Sequence, residues 1–91
     1  MNKSELVQKV ARQTGLSQKQ SEAVVGAVFG AIEQALEAGE KVQITGFGTF
    51  EAKERAERTA RNPITGETIQ VPKRRVPTFK AGSGLKEVVR S

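Results

Sequence analysis

Apolar positions recur at helical spacing in the first part of the chain, then alternate, then thin out, and return at the end. Leu6, Val7, Val10 and Ala11 lie on one face of a helix. Asn2 precedes them with Glu5 three residues later, in the spacing of a capping box, and Gly15 ends the segment. Ser17 and Gln20 repeat that spacing, which predicts a second helix from about Gln18 to Ala38, closed by Gly39.

The middle of the second helix reads AVVGAVFGAI and carries no polar residue, with Glu22 and Glu33 on either side. A helix apolar on all sides must be covered on all sides. One short helix and a small sheet cover about half of it, so a second copy of the chain is expected over the rest. Gly26 and Gly30, four apart, each cost about 1 kcal/mol of helix propensity relative to alanine. Either the cost is simply tolerated or the close approach of another backbone offsets it.

After Gly39 the period changes to two. Lys41 to Thr45 alternates as a half-buried strand, Gly46-Phe47-Gly48 supplies a turn, and Thr49-Phe50-Glu51 starts another strand. The GFG triplet is not a dinucleotide-binding fingerprint, because the third glycine is missing and a strand follows it. Phe47, Phe50 and Phe79 are expected in the core. From Ala52 to Arg61 the alternation stops, Pro63 and Gly66 mark a reversal, and Glu67 to Val76 runs back with Thr68, Ile69 and Val71 as strand formers. These segments predict a hairpin of about ten residues a side, reaching on the order of 30 Å. With little to bury, it should be mobile until a partner orders it. Gly82-Ser83-Gly84 then gives way to Leu85, Val88 and Val89, a short helix expected to pack on the body. The fold class is α+β in a single domain, residues 1–91, with a body of 1–51 and 77–91 and an arm of 52–76.

Charge adds what periodicity cannot. The net charge is +5, and the stretch from Lys53 to Lys80 holds eight basic residues against three acidic ones, so it carries the whole excess. A localised basic segment points to a polyanion, although a merely solvated surface reads the same way from charge alone. Cysteine and histidine are absent, which removes disulfides and most transition-metal sites. Aspartate and tyrosine are absent too, and the ten glutamates are scattered, so no paired acid and base or activated nucleophile emerges. No enzyme activity, metal, cofactor or small-molecule substrate is expected. The longest apolar run is too short for a bilayer, so a soluble, cytoplasmic protein is expected.

A two-stranded ribbon bearing arginines fits a DNA groove, where guanidinium groups meet phosphates and the narrow minor groove deepens the negative potential. Arg55, Arg58 and Arg61 advance in three-residue steps, which do not keep to one face of a flat strand. Either a strong twist or a bulge must bring them round. Asn62-Pro63 with Gly66 is ordinary turn chemistry. The same Pro63, at an apolar tip shared with Ile64, could also enter between base pairs as a wedge. RNA is a second candidate partner for the ribbon, and an acidic protein a third.

The stretch from Gly46-Phe47 through Phe50, Arg55, Arg58 and Ala60 to Asn62-Pro63-Ile64-Thr65, with VPTFKAG downstream, closely resembles the HU and integration host factor family of bacterial histone-like DNA-binding proteins. The resemblance runs from MNKSEL to GLKEVV. This family is itself a standard example of minor-groove binding with inserted apolar wedges. The resemblance implies an intertwined homodimer with a helical base, a small antiparallel sheet and long β-ribbon arms that bend duplex DNA and compact the nucleoid; a related subunit could replace one copy. It implies Pro63 as the intercalating residue, with Arg55, Arg58, Arg61 and Asn62 as groove and phosphate contacts; the other cations of the arm, Lys53, Lys73, Arg74 and Arg75, are expected to join them through their charge. Lys3, Lys80 and Lys86 would touch flanking phosphates. Val25, Val28, Phe29, Ile32, Leu36, Ile44, Phe47, Phe50 and Phe79 would form the dimer core. Three positions depart from the family pattern: Ala60 replaces a frequent glycine, Lys73-Arg74-Arg75 replaces small residues before one basic group, and Ser83 replaces a frequent lysine. The last two suggest phosphate contacts moved from position 83 to positions 73 and 74.

Overall fold

The computed structural model describes residues 1–90. Helix α1 covers Lys3–Thr14, with the Asn2 side chain accepting from the Glu5 amide at 2.9 Å and Gly15 closing it at φ 75°. Helix α2 covers Gln18–Glu37. Its capping box is reciprocal: the Gln20 amide donates to Ser17 Oγ at 3.0 Å and the Ser17 amide to Gln20 Oε1 at 3.1 Å. At the other end Gly39 adopts φ 81°, its amide donates to the Leu36 carbonyl, and the Glu40 amide donates to the Ala35 carbonyl. That pair of bonds is a Schellman motif, which stops the helix one residue earlier than the sequence pattern suggests.

Two compact units make up the chain, Met1–Gln34 and the part from Ala35 onward. In the first, Val7 and Val25 are the apolar side chains that are buried, and Ser21 is fully buried with its hydroxyl unpartnered. The apolar stretch of α2 lies open: Val28 is 52% exposed and Phe29 43%. A Cβ at Gly26 or Gly30 would meet nothing within 4 Å, so this chain alone gives neither glycine a packing reason.

The second unit holds an antiparallel sheet in the order β1 (Val42–Ile44), β2 (Gly48–Arg55), β5 (Arg74–Ala81), and a separate two-stranded ribbon of β3 (Arg58–Arg61) with β4 (Thr68–Val71). Because side chains alternate along a strand, the register sorts the three-stranded sheet into two faces. Val42, Phe50, Ala52, Pro77 and Phe79 share one; Gln43, Thr49, Glu51, Lys53, Arg55, Arg74, Thr78 and Lys80 share the other. On the apolar face the Phe79 ring lies 4.8 Å from Phe50 and 5.7 Å from Phe47, centroid to centroid. Phe47 and Phe79 nonetheless stay 46% and 44% exposed, and Ile44 is exposed as well, while Phe50, Ile32 and Leu36 are half-buried. Gly48 allows the ring to settle, since a Cβ there would meet the Phe79 ring at 2.5 Å and the Lys80 carbonyl at 2.7 Å.

Helix α3, Ser83–Arg90, is tied down at its start, where the Leu85 amide donates to the Gly46 carbonyl at 3.0 Å and the Gly82 amide to that of Phe47 at 2.8 Å. The expectation that its apolar residues pack on the body holds only for Leu85, which is half-buried; Val88 and Val89 are exposed.

The expected hairpin of about ten residues a side is present, but its ladder is interrupted part-way along. Pairing runs from Gly48↔Ala81 to Arg55↔Arg74, stops, and resumes from Arg58↔Val71 to Arg61↔Thr68. Two residues drop out of each strand, Ala56-Glu57 opposite Pro72-Lys73, so the register is unchanged and no bulge forms. Proline lacks the amide hydrogen a ladder needs, which gives Pro72 a physical part in the break.

Candidate nucleic-acid interface

Lys53, Arg55, Arg74 and Lys80 rise from one face of the three-stranded sheet because they occupy alternate positions on two strands in matching register. Arg55 and Arg74 are direct cross-strand partners. Among the described residues, none of the four has a side-chain hydrogen bond or an acidic partner within ion-pair distance. Like charges set opposite each other in a ladder are unfavourable, so the fold holds a concentrated positive face; Glu51 shares that face but forms no ion pair with any of the four.

The break in the ladder answers how three-residue steps come together. A hollow of about 450 Å³ opens there, lined by Arg55, Ala56, Glu57, Arg58, Val71, Pro72 and Arg74. Arg58 falls on the opposite alternation from Arg55, yet both border this hollow, which lies where the pairing is interrupted. Of the two devices open from sequence, a bulge is ruled out by the conserved register. Arg61 falls on the other face of the ribbon from Arg58, opposite Thr68.

At the tip the Asn62 amide donates to the Glu67 carbonyl at 2.8 Å, closing a four-residue loop. Asn62 Oδ1 accepts from the Ile64 amide at 2.9 Å, and the Gly66 amide donates to the Asn62 carbonyl at 2.8 Å with Gly66 at φ 75°. The asparagine side chain thus mimics a backbone turn and leaves Pro63 and Ile64 outermost. Ile64 is 92% exposed. The proline and isoleucine that cannot be buried are held in the open by the turn itself.

Two other expected contacts are placed differently. Lys73 Nζ lies 3.4 Å from Glu54 Oε2, and the Arg75 guanidinium donates to the Glu37 carbonyl at 3.0 Å, so both cations are engaged within the protein. Lys3 is exposed in the first turn of α1, and Lys86 is exposed in α3. Sequence reasoning passed over Gln70, whose amide donates to the Glu57 carboxylate and whose carbonyl oxygen accepts from Thr59 Oγ1 at 3.4 Å. It also passed over Pro72. A proline inside a run of strand formers was the signal available for the break.

A family described as bacterial DNA-binding protein matches residues 1–90. DNA-binding protein HU of Streptococcus thermophilus is 56% identical over 89 residues, covering 98% of both chains. Its counterpart from Geobacillus stearothermophilus is 51% identical over 90 residues, covering 99% of this chain and all of the relative. An Anabaena HU–DNA cocrystal structure superposes with a TM-score of 0.88 at 45% identity, over 98% of this chain and 97% of that one. HU from Thermotoga maritima gives 0.69 at 35% identity, over 98% of each. The chain belongs to the HU family of bacterial DNA-binding proteins. Among the described residues, no helix is long and apolar enough to cross a membrane.

Proposed function

We propose that this chain acts as a homodimer that binds double-stranded DNA with little regard to sequence, bends it, and so compacts the nucleoid in the cytoplasm. The observation that carries this reading is the unneutralised basic face formed by Lys53, Arg55, Arg74 and Lys80, which leads through Arg58 to an outermost Pro63 and Ile64. Guanidinium and ammonium groups without acidic partners suit phosphates, and an apolar tip suits a gap between stacked bases. The solved HU–DNA complex of the Anabaena relative supports duplex DNA as the partner.

In this reading residues 1–91 act as one domain, with residues 52–76 as the arm that follows the minor groove. Arg55, Arg58, Arg61 and Asn62 contact backbone and groove, Pro63 enters a base step, and Lys3, Lys80 and Lys86 touch flanking phosphates. A second copy covers Val28 and Phe29 on α2 together with Ile44, Phe47 and Phe79. Two buried apolar side chains are too little to hold 90 residues against their conformational entropy, and open aliphatic and aromatic positions supply the missing area. Energy transfer between the ends of a duplex of about 30 base pairs tests the reading. Transfer should rise as protein is added, and a duplex that stays straight at saturation overturns it.

A further inference from the structure

We infer that the two arginines of the basic triplet Lys73-Arg74-Arg75 divide the work: Arg75 is a positioning residue that fixes the root of the arm on the last turn of α2, and Arg74 faces DNA. The inference rests on the DNA-binding reading only for the role of Arg74.

Alternation along β5 separates the two arginines. Arg74 pairs with Arg55 on the basic face, whereas Arg75 pairs with Glu54 on the face that carries Phe50 and Phe79. A single groove laid along the basic face cannot receive both. Lys73 is already matched with Glu54 at 3.4 Å.

The α2 terminus explains what Arg75 does there. The last carbonyls of a helix lack partners within it. The Schellman bonds occupy those of Ala35 and Leu36. The carbonyl of Glu37 accepts instead from Arg75 Nη2 at 3.0 Å. A helix C-terminus favours a cation, yet the last turn of α2 has no basic residue and ends on Glu37 itself. Arg75 supplies from 38 residues away the charge that the helix does not carry. It thereby ties β5, next to the break in the ladder, to a fixed point. The arm beyond then starts from a defined direction.

The test compares Arg74→Ala, Arg75→Ala and Arg75→Lys in the full-length protein. Salt dependence of affinity for a linear duplex, thermal melting, and ¹⁵N order parameters of the arm amides in the DNA-free protein are measured. Arg74→Ala should reduce the slope of log affinity against log salt by about 1 per arm and leave the order parameters unchanged. Arg75→Ala should leave the slope intact, lower Tm by roughly 2–5 °C, and depress order parameters at Arg55 and Arg58 more than in the helices. Arg75→Lys, which can still donate to the carbonyl, should restore them. A slope loss in Arg75→Ala as large as in Arg74→Ala overturns the assignment, as does an arm that is no more mobile than the parent's or is not rescued by lysine. Should the parent show no salt-dependent DNA binding, the functional reading fails, while melting and order parameters still decide the clamp.

Discussion

Arg55 and Arg74 stand directly opposite each other in the β2–β5 ladder, on the same face, and neither forms an ion pair among the described residues. A cross-strand pair of like charge costs a few tenths of a kcal/mol to about 1 kcal/mol. Arg55→Ala should therefore leave the melting temperature unchanged or raise it by a few degrees. The same substitution should weaken DNA binding and lower the salt slope by about 1 per arm. Calorimetric melting and fluorescence anisotropy read the two effects, and a destabilised protein with undiminished affinity would contradict the argument.

The response to salt follows from the same face. If the dimer neutralises about 6 to 10 phosphates, affinity should fall about 10³- to 10⁵-fold between 50 and 200 mM salt. A flat titration would exclude phosphate contacts as the main source of affinity.

Pro63 sits in an exposed loop whose bonds come from Asn62 and Gly66, so its removal should not disturb the fold. Pro63→Ala should melt within about 0.5 kcal/mol of the parent and keep most of its non-specific affinity. Bending measured by ring closure or end-to-end energy transfer should decrease. Equal bending by both proteins would refute the wedge.

Open apolar positions on α2 make stability a property of the pair. Tm should rise with protein concentration, as expected when folding and association are coupled. Phe29→Glu should abolish folding at micromolar concentration, because a buried unpaired carboxylate at the seam is costly. A concentration-independent Tm, seen by circular dichroism over two decades of dilution, would point to a self-sufficient single chain.

Gly48→Ala tests the packing of the aromatic cluster. The added methyl would collide with the Phe79 ring and the Lys80 carbonyl, one of which is backbone and cannot swing away. A loss of about 1–3 kcal/mol in urea unfolding is expected. A neutral result would mean that the ring has another resting place.

Signals that act over a few residues were legible in the chain itself. Both helix starts, the glycine stops at Gly15 and Gly39, and the Asn62–Gly66 turn depend on partners within five residues, and each was read at or within one residue of its observed place. Family motifs spread along the whole length carried the DNA-binding reading. Relations spanning tens of residues had no such local mark. Pairing across the ladder placed Arg74 beside Arg55 and sent Arg75 to the end of α2, although the two are adjacent in sequence and chemically alike. Folding likewise put an in-register break into the expected hairpin and left Val88 and Val89 exposed. Composition states how much charge the arm holds, but only strand register, a long-range geometric relation, decides which of those charges remain available to a partner.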